Sequence, residues 1–154
     1  MSITDERDEV IDFTQDYLPP DPSSYITLSS GNKAAYIGVV AAQTATIQAS
    51  HVAASGAILV EFSTPDETIS ALRNGEVDAV MADKAFLKPI VAESNNEIKF
   101  IAKDVYIGGG VGMGIRESDT SLKDTFNAAI DSMKADGSLN ALIDKWEGIS
   151  EGRY

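Results

Sequence analysis

The sequence predicts an α/β fold, a doubly wound and mostly parallel sheet over residues 23–105. Three observations carry that reading. Short apolar runs alternate with helical stripes in the order strand, helix, strand, helix, strand, helix, strand. One run, 36–40, is apolar almost without a break, as in a strand buried on both faces. The helical stripes between the runs carry start and stop signals at their ends.

Taken in order, residues 25–28 read as a strand closed by the turn cluster SSGN at 29–32. The strand at 36–40 follows, then a helix over 44–54 with Ile47, His51 and Ala54 on one side. Residues 58–62 form the next strand. STPDE at 63–67 is a helix start, with a hydroxyl cap, proline in the first turn and acids against the helix dipole. Ile69 and Leu72 face inward, and Asn74-Gly75 ends that helix. Residues 77–81 are strand, Asp83 caps a helix through Phe86 and Ile90 toward Glu93, and 98–101 is the last strand. Ile37, Leu59 and Val80 are expected to share one sheet. Before this unit lies PPDP at 19–22, a rigid extended connector. After it, the glycine run 108–114 reads as a flexible crossover. Two amphipathic helices close the chain. The first, capped by Asp119 or Thr120, carries Phe126, Ala129, Ile130 and Met133; the second carries Leu139, Leu142, Ile143 and Trp146.

Composition narrows the function. The 154 residues hold 24 acidic against 12 basic side chains, a formal charge of −12. Such a field repels duplex DNA and anionic membranes and attracts cations, so no nucleic-acid partner is expected. The apolar runs are too short for membrane insertion. No cysteine is present, which excludes disulfides, zinc–thiolate sites and thiol nucleophiles. No export signal precedes the first acids, so the chain as written is expected to stay in the cytoplasm.

Little here asks for catalysis. The glycine run lacks the strand-before, helix-after context of a dinucleotide loop. His51 is the sole histidine, and the acids form no calcium loop or paired-carboxylate motif. No enzyme activity, metal or cofactor is expected. Three small features remain: Arg7, the one cation of the acidic opening; QTATIQ at 43–48, where a strand meets a helix; and Asp83, just past the strand at 77–81. Open α/β sheets bind ligands at the carboxyl ends of their strands, where helix N-termini favour anions. An arginine with a helix start suits a carboxylate, and an aspartate suits an ammonium. Together they would clasp an α-amino acid. The same residues also have ordinary readings, Arg7 as a solvated charge and Thr46 and Asp83 as helix caps.

Several motifs, in order, resemble one family. SITDER at 2–7 with VIDFT at 10–14, QTATIQ at 43–48, NGEVDAVMAD at 74–83, GMGIRESDT at 112–120 and MKADGSL at 133–139 are similar to the type II periplasmic solute-binding proteins of amino-acid ABC transporters. The resemblance implies a complete second lobe at 23–108, and a remnant of the first lobe at 1–22 and 109–154. The family's first third, with its export signal, would then be missing from this chain. Site by site, it implies that Arg7 pairs with the ligand carboxylate, and that Ser2 touches the ligand's polar head. Thr46 and its backbone would complete the carboxylate site, and Asp83 would take the ammonium, with Gln43 and Gln48 at the rim. Ala45 and Ile47 stand where the family usually has Gly and Thr. The implied ligand is a polar or basic amino acid, weakly bound, with a transporter permease left open as a partner. The alternative is a fragment that no longer binds solute and serves as a self-associating module. Six large apolar side chains of the last two helices, Phe126, Ile130, Met133, Leu142, Ile143 and Trp146, would lose the first-lobe sheet that covers them. Exposure would cost on the order of 10 kcal/mol at about 25 cal/mol per Å², so a homodimer is expected.

Overall fold

The computed structural model describes residues 1–146 and 153–154, in two compact units. One is formed by Met1–Asp21 with Gly108–Tyr154, the other by Pro22–Ile107.

The unit Pro22–Ile107 is built on a five-stranded sheet. Its strands are β2 (Ser23–Leu28), β3 (Val39–Gln43), β4 (Ile58–Phe62), β5 (Ala79–Asp83) and β6 (Ile98–Val105), in the order β4-β3-β5-β2-β6. β3 is parallel to β4 and to β5, whereas β2 runs antiparallel to β5 and β6. The sheet is therefore mostly parallel, with one reversed strand inserted between β5 and β6. Residue parity separates its two faces. Ile26, Ala41 and Val80 pack with Ile69 and Leu72 of α3 (Pro65–Arg73) and Leu87 of α4 (Lys84–Glu93). Tyr25, Val40, Ala79 and Met81 pack with Val52 of α2 (Ile47–Ser55). Helices thus cover both faces, and the central strands lose alternation because both sets of side chains are buried.

The helix signals act as the chemistry requires. The Thr64 hydroxyl accepts from the Glu67 N–H while the Glu67 carboxylate accepts from the Thr64 N–H, closing a capping box with Pro65 in the first turn. Several boundaries differ from the sequence expectation: β2 begins at Ser23 rather than 25, and β6 runs to Val105 rather than 101. Residues 35–37 form a single 3-10 turn rather than a strand, and β3 begins only at Val39. The Asn32 side chain accepts from the Ala34 N–H, which starts the turn, and the Asp78 carboxylate accepts from the Val39 N–H at 2.8 Å, which ends it. Gly38 is needed there, because a Cβ would lie 2.5 Å from Asp78 Oδ2. Leu59 and Val80 share the sheet; Ile37 lies outside it, 64% exposed. The strand expected at 77–81 starts at Ala79, since the Asp78 N–H is bonded to Val39 O and its carbonyl to Thr27. The helix expected over 44–54 starts at Ile47, with Thr46 as its cap.

In the other unit, α1 (Asp5–Asp8) is capped by Thr4, and β1 (Asp12–Phe13) pairs antiparallel with β7 (Gly114–Ile115). The glycine run is no loose crossover. Gly110 has φ +94°, and a Cβ there would lie 2.5 Å from Leu18 O. Ile3 N–H to Gly110 O and Val111 N–H to Leu18 O, both 2.9 Å, tie the run to the opening strip. Close backbone approach explains the glycines at 108, 110 and 112. α5 (Thr120–Asp136) and α6 (Ser138–Trp146) bury Ile130, Leu139 and Ile143 against Tyr17, Leu18, Met113 and Met133. The face expected to be bare is therefore half covered by the chain itself; Phe126, Leu142 and Trp146 stay exposed. No helix among the described residues is long and apolar enough to cross a membrane.

Candidate functional site

At the carboxyl ends of β3, β4 and β5 the chain turns directly into α2, α3 and α4, so three helix N-termini gather at one end of the sheet. There lies a pocket of about 190 Å³, lined by Gln43, Thr46, Gln48, Pro65, Thr68, Met81, Ala82, Asp83 and Phe86. β3 ends at Gln43, and the Thr44 N–H bonds to Phe62 O at 2.9 Å, fastening the turn to the end of β4. Ala45 then takes a left-handed φ of 61°, which throws Thr46 into position as the α2 cap. The Thr46 hydroxyl donates to Gln43 O at 2.6 Å and accepts from the Ala49 N–H at 3.2 Å. Its proton is committed to the backbone, so Thr46 shapes the helix start rather than acting as a nucleophile.

Asp83 closes β5 opposite Ser23 of β2. Its side chain makes no cap bond to α4, contrary to the sequence expectation. Gln48 holds it instead. The Gln48 Nε2 donates to Asp83 Oδ1 at 2.7 Å and to Ser23 Oγ at 2.9 Å, which uses both amide hydrogens. Gln48 is 5% exposed, so the sequence placement at the rim is corrected: it lies in the floor. As the second residue of α2, it points back toward the sheet, and only a polar partner there makes a buried amide tolerable. Gln43 stands at the wall, its Nε2 donating to Ser63 O at 3.1 Å.

Of the six residues singled out from the sequence, the structure brings Gln43, Thr46, Gln48 and Asp83 to this pocket. Arg7 and Ser2 belong to the other unit, where the Arg7 Nη1 donates to Ser2 O at 2.9 Å. Sequence reasoning missed Ser23, Pro65, Thr68 and Phe86. Pro65 and Thr68 stand at the β4–α3 junction, where the strand-end rule that selects 43–48 applies equally. Phe86 lies one helical turn after Asp83. Nothing local marks Ser23.

The lining pairs no nucleophile with a base. It offers a fixed carboxylate beside helix starts whose N–H groups carry partial positive charge, an arrangement suited to a zwitterion. Next to it, Asp104 accepts from the Ser24 hydroxyl and from Lys84, both at 2.6 Å. Those bonds, with Lys84 first, hold the Asp104 carboxyl below its ordinary value.

Residues 1–149 match the model of the bacterial extracellular solute-binding proteins, family 3. The chain belongs to that family. This family-3 protein is 30% identical to the L-arginine-binding protein of Pseudomonas aeruginosa over 95% of its own length and 62% of the relative's. It is 29% identical to the histidine-binding periplasmic protein of Escherichia coli, again over 95% of this chain and 62% of that protein. The chain thus spans about three fifths of the length of these relatives. Among solved structures, a periplasmic His/Glu/Gln/Arg/opine family-binding protein from Silicibacter pomeroyi, in complex with lysine, is 61% identical. It superposes with a TM-score of 0.91 over 100% of this chain and 70% of that one. An ancestral arginine-binding protein bound to glutamine, 26% identical, superposes with a TM-score of 0.82 over 96% of this chain and 68% of that one. The family-3 protein therefore has the α/β fold of the type II periplasmic binding proteins.

Proposed function

We propose that this family-3 solute-binding protein holds a free α-amino acid with a basic or polar side chain in the 190 Å³ pocket, without altering it chemically. One observation carries the reading: the Asp83 carboxylate is fixed by a buried amide, Gln48, that is itself anchored on Ser23. A carboxylate restrained in that way is preorganised for an ammonium. N–H groups of the first turn of α2, around Thr46, would receive the ligand carboxylate, and Gln43 would edge the mouth. The relatives named for arginine and histidine, and the 61% identical structure holding lysine, support a basic amino acid. The net charge of −12 favours the same class. Binding is expected to be weak, because the pocket is smaller than the roughly 300–1,000 Å³ that ordinarily encloses a small ligand.

Titration calorimetry with L-arginine, L-lysine, L-histidine, L-glutamine and L-alanine tests this. Heat is expected for the basic members and is expected to vanish in Asp83→Asn. Silence across the whole panel, or unchanged binding in Asp83→Asn, would refute the reading.

A second reading has its own observation. Phe126, Leu142 and Trp146 are 36%, 44% and 72% exposed, and the last two stand one turn apart on α6. A chain that buries these on a second copy would be a self-associating module, with or without a bound amino acid.

A further inference from the structure

We propose that a second pocket, on the face of the sheet that carries α2, binds a small carboxylate with an aromatic or apolar body. Its volume is about 500 Å³, and its lining includes Tyr25, Tyr36, His51, Ser55, Lys103 and Val105. It shares no residue with the pocket at Asp83.

The pocket exists because α2 packs on β3, β4 and β5, leaving β2 and β6 on that face without a helix. Tyr25 of β2 lies in the floor, Tyr36 and Ile37 of the 3-10 turn close one side, and α2 supplies His51 and Ser55. On the far side β6 carries an irregularity. Its register with β2 shifts between Ser23 and Tyr25, and Ala102 takes a left-handed φ of 60°. Bulges of this kind re-aim side chains. Here Asp104 is sent to Ser24, on the opposite face from Tyr25, while Lys103 lines the pocket.

Two donors face the open pocket without a protein partner among the described residues. Tyr25 is 4% exposed, yet its hydroxyl makes no hydrogen bond among the described residues. The hydroxyl is not among the buried atoms that lack a partner, so it reaches the open space of the pocket, where a ligand oxygen can take the place of water. Burial also pushes the Tyr25 phenol up from its ordinary value, which keeps it a neutral donor. Lys103 forms no ion pair with any described residue, although acids outnumber bases 24 to 12 in the chain. No carboxylate lines the pocket. An ammonium and an unmatched phenol donor select an anionic acceptor. The tilted Tyr25–Tyr36 ring pair, 5.9 Å between centroids, and Val105 select the flat or apolar body that carries it.

Phenylacetate is the probe. Amide resonances of Ser55, Ala102 and Lys103 should shift saturably as sodium phenylacetate is titrated into the millimolar range. Phenethylamine, similar in body and opposite in charge, should leave them in place. Lys103→Gln changes an exposed residue outside every described ion pair, and it should weaken phenylacetate binding about fivefold. Tyr25→Phe should weaken it about threefold, with the rest of the spectrum unchanged. Asp83→Asn should leave it intact, so failure here is separable from failure at the amino-acid pocket. Absence of saturable shifts, equal shifts with phenethylamine, or undiminished binding in Lys103→Gln would overturn the proposal.

Discussion

Gln48 is where a single side chain decides what the site can do. Its amide spans Asp83 and Ser23, so removing it takes one donor from the carboxylate and one from a buried hydroxyl. Gln48→Met keeps the volume and the helix propensity but removes both bonds. It should weaken L-arginine binding about tenfold by calorimetry while the far-ultraviolet spectrum stays native, since hydrogen bonds to charged groups contribute about 1.5–3 kcal/mol. Equal affinity in wild type and Gln48→Met would show that Asp83 needs no such support. Ala45, three residues earlier, carries a different burden. Its φ of 61° costs roughly 1–2 kcal/mol for any residue with a Cβ, and that strain is met by Thr46 capping α2 and by the Thr44 bond to β4. The resemblance alone marks Ala45 as a departure from the family's usual glycine; the backbone conformation that makes glycine the easier choice is visible only in the fold.

At the scale of elements, the site is a product of strand ends and helix starts. β3, β4 and β5 are parallel and neighbouring, so the loops that leave them open on the same side. β2, antiparallel between β5 and β6, ties the far half of the sheet to the near half through Ser23 and Ser24. The clamp of Ser24, Asp104 and Lys84 at this seam has a pH signature. Because the folded Asp104 carboxyl is held below its ordinary value, its contribution to stability is present above the unfolded value, near 3.8. That contribution is lost as pH falls through the lower folded one. Urea midpoints measured from about pH 5 down to about pH 2 should therefore fall more steeply for wild type than for Asp104→Asn. Parallel acid limbs would mean the clamp adds nothing. α5 and α6 show the same division between faces. Ile130, Leu139 and Ile143 are buried within their unit, while Leu142, next to Ile143 in sequence, points outward.

For the whole molecule the open question is how many copies make the native particle. Six apolar side chains left bare would have forced association on energetic grounds, but Ile130 and Ile143 are buried and Met133 is packed against them. Phe126, Leu142 and Trp146 remain, and at about 25 cal/mol per Å² three partly exposed side chains favour association without compelling it. Sedimentation velocity at micromolar concentration should show a species of about twice 16.4 kDa, converted toward monomer by Trp146→Ser with Leu142→Ser. A 16.4 kDa species at every concentration tested would end the self-association reading.

The alternation of apolar runs with capped helical stripes is local information, and it determined the α/β class because each signal acts within a few residues: the Thr64–Glu67 box, the Asn74-Gly75 stop, the doubly buried run into β3. Strand ends are also local, which is why Asp83, Thr46 and Gln43 could be singled out before their positions in space were known. Tertiary structure decided the rest. The reversal of β2, the bond from Gln48 to Ser23 across 25 positions, the 3-10 turn fixed by Asp78 and the glycine run pressed onto Leu18 all depend on partners far away in sequence. Periodicity says which side of a helix is buried; it does not say which atoms will be there to meet it.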